Sequence, residues 1–212
     1  MVPMAGISYE YTAAQPSASH EYLYPAVSRF LKDLPAGSTV LDAGCGNGTF
    51  LALFQDRGWR LHGSDYSPAG LGFARQSFPD IDFFLADAQS AYADFLSSRG
   101  PVDAVISTEV IEHLYDPHAF LRNCYSLLKP GGTLVITTPY HGYFKNILLA
   151  VSGKTEFHYD ALRVHGHIKF FSRKTLQKAL TDAGFTAIEF TGTGRLPYAW
   201  KSMALKAIRP VL

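Results

Sequence analysis

Five consecutive residues, Glu109-Val110-Ile111-Glu112-His113, bring two carboxylates and an imidazole into one short stretch. If Glu109 opens a helical turn, Glu112 lies three residues on and His113 four, so all three share a face. Carboxylates that close repel, and one of them holds its proton more tightly unless a cation sits between them. An oxygen-preferring divalent ion, Mg²⁺ or Mn²⁺, resolves the conflict, and the imidazole tilts the set towards Mn²⁺, Fe²⁺ or Zn²⁺. A further protein ligand must come from elsewhere, and His165-Gly166-His167 is the best supplier. Without a metal, His113 is a general base for a hydroxyl or a packed side chain.

A second constellation lies upstream. Asp42-Ala43-Gly44-Cys45-Gly46-Asn47-Gly48 follows a short apolar run, and its glycines permit a sharp turn and close approach of backbone to a ligand. It lacks Gly-x-x-x-x-Gly-Lys-Ser/Thr, which excludes a nucleoside-triphosphate loop. Its glycine spacing also differs from the dinucleotide fingerprint, and no Lys or Arg lies between Asp42 and Asp56 to favour a diphosphate. Asp65 comes twenty-one residues after Gly44, at the end of the next apolar run. A carboxylate there accepts hydrogen bonds from a ribose diol. Asp87, after a third run, is placed to meet a base edge. The three together point to a phosphate-free nucleoside.

The elements that must position these groups alternate. Strands are expected at 39–41, 60–65, 81–85, 102–107 and 133–138, and helices at 20–34, 49–56, 68–77, 91–99, 116–128 and 172–182, with Pro25 near the first helix's first turn and Ser172 capping the last. Thr186–Thr191 and Ser202–Ile208 make a closing antiparallel pair. Short strands separated by helices predict βαβ units, with a parallel sheet covered on both faces. Ligands of such sheets bind beyond the carboxyl ends of the strands, where strand order switches.

Asp42 to Gly48, Gly63-Ser64-Asp65-Tyr66-Ser67, Ala86-Asp87-Ala88 and Leu128-Lys129-Pro130-Gly131-Gly132 resemble, in order, the motifs of class I S-adenosylmethionine-dependent methyltransferases. The resemblance covers roughly residues 20–210. It implies a Rossmann-like α/β fold with a seven-stranded, mostly parallel sheet whose last strand is antiparallel. It implies that Gly44 and Gly46 line the methionine part of the cofactor, Asp65 grips the ribose hydroxyls and Asp87 approaches the adenine amino group. The cofactor-binding set carried over is Asp42, Gly44, Cys45, Gly46, Asp65, Tyr66, Asp87, Ala88 and Glu109. Glu-x-x-Glu-His after strand four is similar to the metal motif of the ubiquinone-biosynthesis O-methyltransferases and of small-RNA 3′-terminal 2′-O-methyltransferases. Both supply a downstream histidine. On that likeness the metal ligands are Glu109, Glu112, His113 and His165, with His167 the second choice for the fourth. The catalytic residues are Glu112, His113 and His165.

Composition narrows the function further. The chain has 212 residues, 47% of them hydrophobic, enough for one domain at 20–212 preceded by a loose arm at 1–19. Nineteen basic and eighteen acidic residues leave a net charge of +1, no basis for unspecific attraction to nucleic acid or anionic membrane. Two cysteines make no disulfide scaffold, and no basic N-terminal region precedes a long apolar run, so a cytoplasmic setting is expected. Phe, Tyr and Trp make up 14% of the chain, many of them in its second half. The aromatic-rich insertion at 139–171 reads as a lid. Within it Tyr143, Phe144, Ile147, Leu148 and Val151 recur at helical spacing, so that helix packs onto the sheet or touches a membrane surface. The expected acceptor is therefore an aromatic or quinone-like small molecule bearing a hydroxyl. The alternatives are an RNA 3′ terminus, for which Arg163, Lys169, Arg173, Lys174 and Lys178 would supply charge, and a cofactor-binding regulatory protein without turnover.

Overall fold

Val40 and Leu41 point to opposite faces of their strand, as do Ala104 and Val105, and Val135 and Ile136, and all are fully buried. Strands apolar on both sides belong in the middle of a doubly covered sheet. The computed structural model describes residues 13, 15–89, 92–164 and 166–211, and these strands sit there. The strands are β1 (Thr39–Ala43), β2 (Arg60–Asp65), β3 (Asp82–Leu85), β4 (Val102–Thr108), β5 (Leu128–Pro139), β6 (Thr186–Thr193) and β7 (Ser202–Ile208). They form one sheet in the order β3-β2-β1-β4-β5-β7-β6. β1 to β5 run parallel, and β7 is antiparallel to both β5 and β6. The order reverses between β1 and β4, so the ligand crevice falls beyond their carboxyl ends.

Helices α1 (His20–Phe30), α2 (Thr49–Ala52) and α3 (Pro68–Ser77) cover one face through Leu23, Val27, Phe50 and Leu71. Helices α4 (Ala93–Arg99), α5 (Pro117–Leu127) and α8 (Arg173–Asp182) cover the other through Phe95, Phe120, Leu121, Leu176 and Leu180. Capping starts three of them where the sequence turns from loop to helix. Ser67 accepts from the Gly70 amide, Asp116 from the Ala119 amide, and Ser172 forms a capping box with Thr175.

The structure shortens several expected helices. α1 ends at Phe30 rather than Leu34, and Pro25 sits inside it, where it has no amide hydrogen to give the Glu21 carbonyl. The helix expected at 49–56 is a single turn followed by a 3-10 turn at Gln55–Arg57. That tightening lets Phe54 bury and stack on Trp59 at 5.7 Å. β5 starts earlier than expected because Pro130-Gly131-Gly132 is absorbed as a bulge, where the register against β4 slips between Val102 and Ala104.

The stretch after β5 holds α6 (Tyr143–Val151) and α7 (Thr155–His158). The expected packing of α6 onto the sheet is not found. The helix buries Lys145 and leaves Tyr143, Phe144, Ile147, Leu148 and Val151 exposed. No helix of the described residues is long and apolar enough to cross a membrane. Most of the expected N-terminal arm lies outside the described residues. Ala13 and Gln15 are described, and their carbonyls accept from the Asn47 side-chain amide at 3.1 Å each.

Candidate functional site

β1 carries Asp42 and Ala43 to the crevice, and the chain then leaves in left-handed steps at Gly44 (φ +88°), Gly46 (+55°) and Gly48 (+77°). A side chain at Gly44 would place its Cβ 2.4 Å from Val110 Cγ2, so the turn lies against the stretch that follows β4. The amides of Gly44 and Cys45 both donate to the Ser64 carbonyl, at 2.8 and 2.9 Å. Asp65, at the end of β2, is buried and accepts the Gly46 amide on Oδ2 and the Ser67 amide on Oδ1, each at 2.8 Å. Asp42 is fully buried, and neither of its carboxylate oxygens has a partner among the described residues. Burial, then the nearby Asp65, pushes its carboxyl up to about 8.

The rest of the expected cofactor set follows the ends of β1, β2 and β3 in sequence, apart from Glu109 after β4. Cys45 is buried, touches the space over Gly63, and has its thiol pushed up by burial. Tyr66 is half exposed. Asp87 is exposed and accepts the Gln89 amide at 2.9 Å, while the Ala88 carbonyl accepts from Asn123 at 3.0 Å.

Beyond β4 the backbone does not begin a helix at Glu109, as the sequence predicts, because that residue is itself left-handed (φ +56°). A non-glycine residue held there is a local strain of a kind that clusters at functional sites. Its amide donates to the Thr137 carbonyl and hydroxyl on β5, and its carboxylate accepts Thr137 Oγ1 at 2.9 Å and Ser202 Oγ at 3.0 Å. The helical turn starts later, as a 3-10 turn at Ile111–His113. Glu112 is fully buried there. Its Oε2 accepts Thr138 Oγ1 at 2.9 Å, and Oε1 has no partner among the described residues. Burial and the neighbouring Glu109 carboxylate hold its carboxyl well above the ordinary range.

The insertion closes on this turn. Ile168 and Lys169 both donate their amides to the Glu112 carbonyl at 2.9 Å, and His113 Nδ1 lies 3.3 Å from the Gly166 carbonyl oxygen. His113 and His167 meet edge to face at 4.9 Å. One ligand atom each of Glu112, His113 and His167 lies within 4.8 Å of the others. The structure therefore brings together Glu112, His113 and the second-choice histidine. His165, the first choice, lies outside the described residues, and Glu109 faces the threonine and serine hydroxyls instead.

Several residues here carry no sequence signal as site residues. Thr137 and Thr138 read only as β-branched strand formers, yet they hold Glu109 and Glu112. Ser202 reaches the same rim because antiparallel β7 begins where β5 ends, opposite Pro139. His141 is buried and stacks on Tyr159 with centroids 5.7 Å apart, its Nδ1 lying 3.3 Å from the Tyr159 hydroxyl. Burial, with Lys145 beside it, takes its imidazole down to about 3, so the ring is neutral. His167 is taken down to about 4 by burial and then by His113. A neutral imidazole keeps its lone pair, the form that ligates a metal.

The chain is similar in sequence and in fold to known methyltransferases. A family model described as a methyltransferase domain matches residues 17–189. The chain is 31% identical over 163 residues to a ubiquinone biosynthesis O-methyltransferase of Azoarcus sp. (strain BH72), covering 74% of this chain and 68% of that protein. It is 33% identical over 120 residues to a probable S-adenosylmethionine-dependent methyltransferase of Mycolicibacterium smegmatis, where the match spans 57% of this chain and only 44% of the relative. The fold matches magnesium protoporphyrin IX methyltransferase of Synechocystis PCC 6803, crystallised with S-adenosylhomocysteine, at a TM-score of 0.68 and 22% identity, covering 90% of this chain and 83% of that one. An S-adenosylmethionine-dependent methyltransferase from Mesorhizobium loti also matches at 0.68 and 22%, over 88% of this chain and 97% of that one.

A seven-stranded sheet of this order, with a glycine turn after β1 and an acid ending β2, defines a class I S-adenosylmethionine-dependent methyltransferase, and the chain belongs to that family. Within it, the chain is related to the ubiquinone-biosynthesis O-methyltransferases.

Proposed function

We propose that this protein transfers a methyl group from S-adenosylmethionine to a hydroxyl of an aromatic or quinone-like small molecule, with a divalent ion beside the acceptor. One observation carries the reading: Glu112, His113 and His167 converge beyond β4, and the glycine turn touches Val110 in the same stretch. The crevice suits the cofactor. Gly44 must lack a side chain because a Cβ would strike Val110, which keeps the glycine turn tight against the stretch after β4, and the buried Asp42 carboxyl has no partner among the described residues and is available to a ligand. S-Adenosylmethionine supplies a methyl group on a sulfonium centre and no phosphate, in keeping with a turn that has no basic residue. Asp65 keeps acceptor capacity for ribose hydroxyls beyond the amides it holds, and Asp87 stands at the base end.

The donor set suits a metal as well. Glu112 Oε1 is buried with no partner among the described residues, and two imidazoles flank it, a carboxylate-and-histidine set fit for Mn²⁺, Fe²⁺ or Zn²⁺. An ion there would polarise the acceptor hydroxyl and stabilise its oxyanion. Thr138 fixes the rotamer of Glu112, and the Gly166 carbonyl orients the His113 ring. His141, Tyr159 and Phe170 pack ring against ring on the insertion side.

The test is calorimetry with S-adenosylhomocysteine, together with electron paramagnetic resonance of a Mn²⁺ titration. Binding of both is expected, with the Mn²⁺ signal lost in Glu112→Gln. Absence of cofactor heat overturns the reading, and a Mn²⁺ signal unchanged by the substitution overturns its metal part.

A further inference from the structure

A cavity of about 320 Å³ opens between α6 and the loop joining β6 to β7. Lys145, Arg195 and Lys201 line it, with His158, and Leu148, Leu149 and Ala199 form its apolar wall. Among the described residues none of the three cations makes an ion pair. Lys145 is the most telling. It is 8% exposed on a helix whose apolar side chains face solvent, the reverse of ordinary burial. Its ammonium donates to the Tyr140 carbonyl at 2.8 Å. Glu109 feels its charge, but that carboxylate is engaged by Thr137 and Ser202. Burial, and then Arg195, push the Lys145 ammonium the other way, towards release of its proton. Like charges gathered around one hollow repel, and a buried ammonium without an anion is costly. A bound oxyanion relieves both.

We propose that the methyl acceptor carries an oxyanion, a carboxylate or phosphate on a ring-sized body, seated among Lys145, Arg195 and Lys201 with its apolar side along Leu148, Leu149 and Ala199. The proposal rests on the methyltransferase reading above and narrows its acceptor. The cavity adjoins the reacting centre: Lys201 precedes Ser202, which holds Glu109, and the Lys201 carbonyl accepts the Tyr140 amide at 3.1 Å. Its volume is at the small end of ligand pockets, roughly 300–1,000 Å³. That fits a single substituted ring and excludes a long chain within the cavity. Anchoring the acceptor by its charge would leave a hydroxyl elsewhere on the ring free to face Glu112 and His113.

Calorimetric titration of benzoate, phenyl phosphate and neutral benzyl alcohol into the full chain saturated with S-adenosylhomocysteine tests this. At least one anion is expected to bind roughly tenfold or more tightly than benzyl alcohol, the better of the two identifying the oxyanion. Arg195→Gln and Lys201→Gln, both changes towards the cavity mouth, are each expected to weaken that anion roughly tenfold, with S-adenosylhomocysteine affinity unchanged and Arg195→Lys retaining most of the binding. Anions that bind no better than the alcohol, or equally well to the variants, overturn the proposal. Loss of S-adenosylhomocysteine binding by the unaltered protein overturns the methyltransferase reading instead, and the anion titration then stands on the free protein.

Discussion

The two halves of the crevice are built from different material. The β1–β3 side is backbone: three left-handed glycines, amides aimed at Ser64 and Asp65, and one acid at each of two strand ends, all between residues 42 and 67. The β4–β7 side is assembled from side chains far apart in sequence, with Glu109, Glu112, Thr137, Thr138, His167 and Ser202 meeting over ninety-three residues of chain. A backbone cradle depends on conformation and tolerates little change at its glycines, whereas a side-chain assembly can be retuned one residue at a time. The first half therefore suits a fixed cofactor, and the second an acceptor that differs among relatives.

The largest expected effect separates the halves. Glu112→Gln should lower kcat/KM on the order of 10³-fold on a responsive phenolic acceptor, because it removes the carboxylate ligand proposed to hold the ion. Calorimetry should find its S-adenosylhomocysteine affinity unchanged, and a strong chelator should reproduce the loss in the unaltered protein. Activity kept within a few fold in both experiments would erase the distinction.

Gly44→Ala strikes the other half. The new Cβ collides with Val110 at 2.4 Å and is strained at φ +88°, so S-adenosylhomocysteine should bind about 10²-fold more weakly. Adding Val110→Ala removes the collision and leaves the strain, so partial recovery of affinity is expected. Complete recovery would mean that the turn's conformation matters less than its clearance.

Asp42→Asn gives a smaller, pH-dependent effect. The folded chain holds this carboxyl at about 8, against 3.8 for the free group. Between those values the native state binds a proton that the unfolded chain has released. The stability this contributes is complete below the unfolded value and lost as pH rises through about 8. Tm of the cofactor-free protein should fall between about pH 4 and pH 8, and less steeply in Asp42→Asn. Parallel slopes would show that Asp42 is charged throughout. Smallest is Asn47→Ala, which frees the carbonyls of Ala13 and Gln15. It should cost about 1 kcal/mol, seen as a Tm lowered by roughly 2–4 °C.

The backbone half was legible in the sequence because its requirements are written locally, in glycines and strand-end acids a few residues apart. The doubly covered parallel sheet followed from the βαβ alternation and the antiparallel closing pair from two short runs near the end, whereas the order of the strands came only with the structure. The side-chain half was legible only in part. Glu112 and His113 announce themselves, but Glu109's left-handed backbone has no sequence marker and breaks the helical face that its spacing implied. Thr137, Thr138 and Ser202 look like ordinary strand residues until the register of β5 against β7 sets them at one rim. Lys145 was misleading for the opposite reason. Apolar periodicity predicted a packed α6, and the helix turned its one cation inward.

A single peptide oxygen, that of Glu112, receives both the Ile168 and Lys169 amides. It works as a latch with two tongues, tying the segment that carries His167 to the turn after β4 at one point. Deuterium uptake at those two amides should therefore proceed in step, and the moment they open should coincide with the freedom of the adjoining turn to swing.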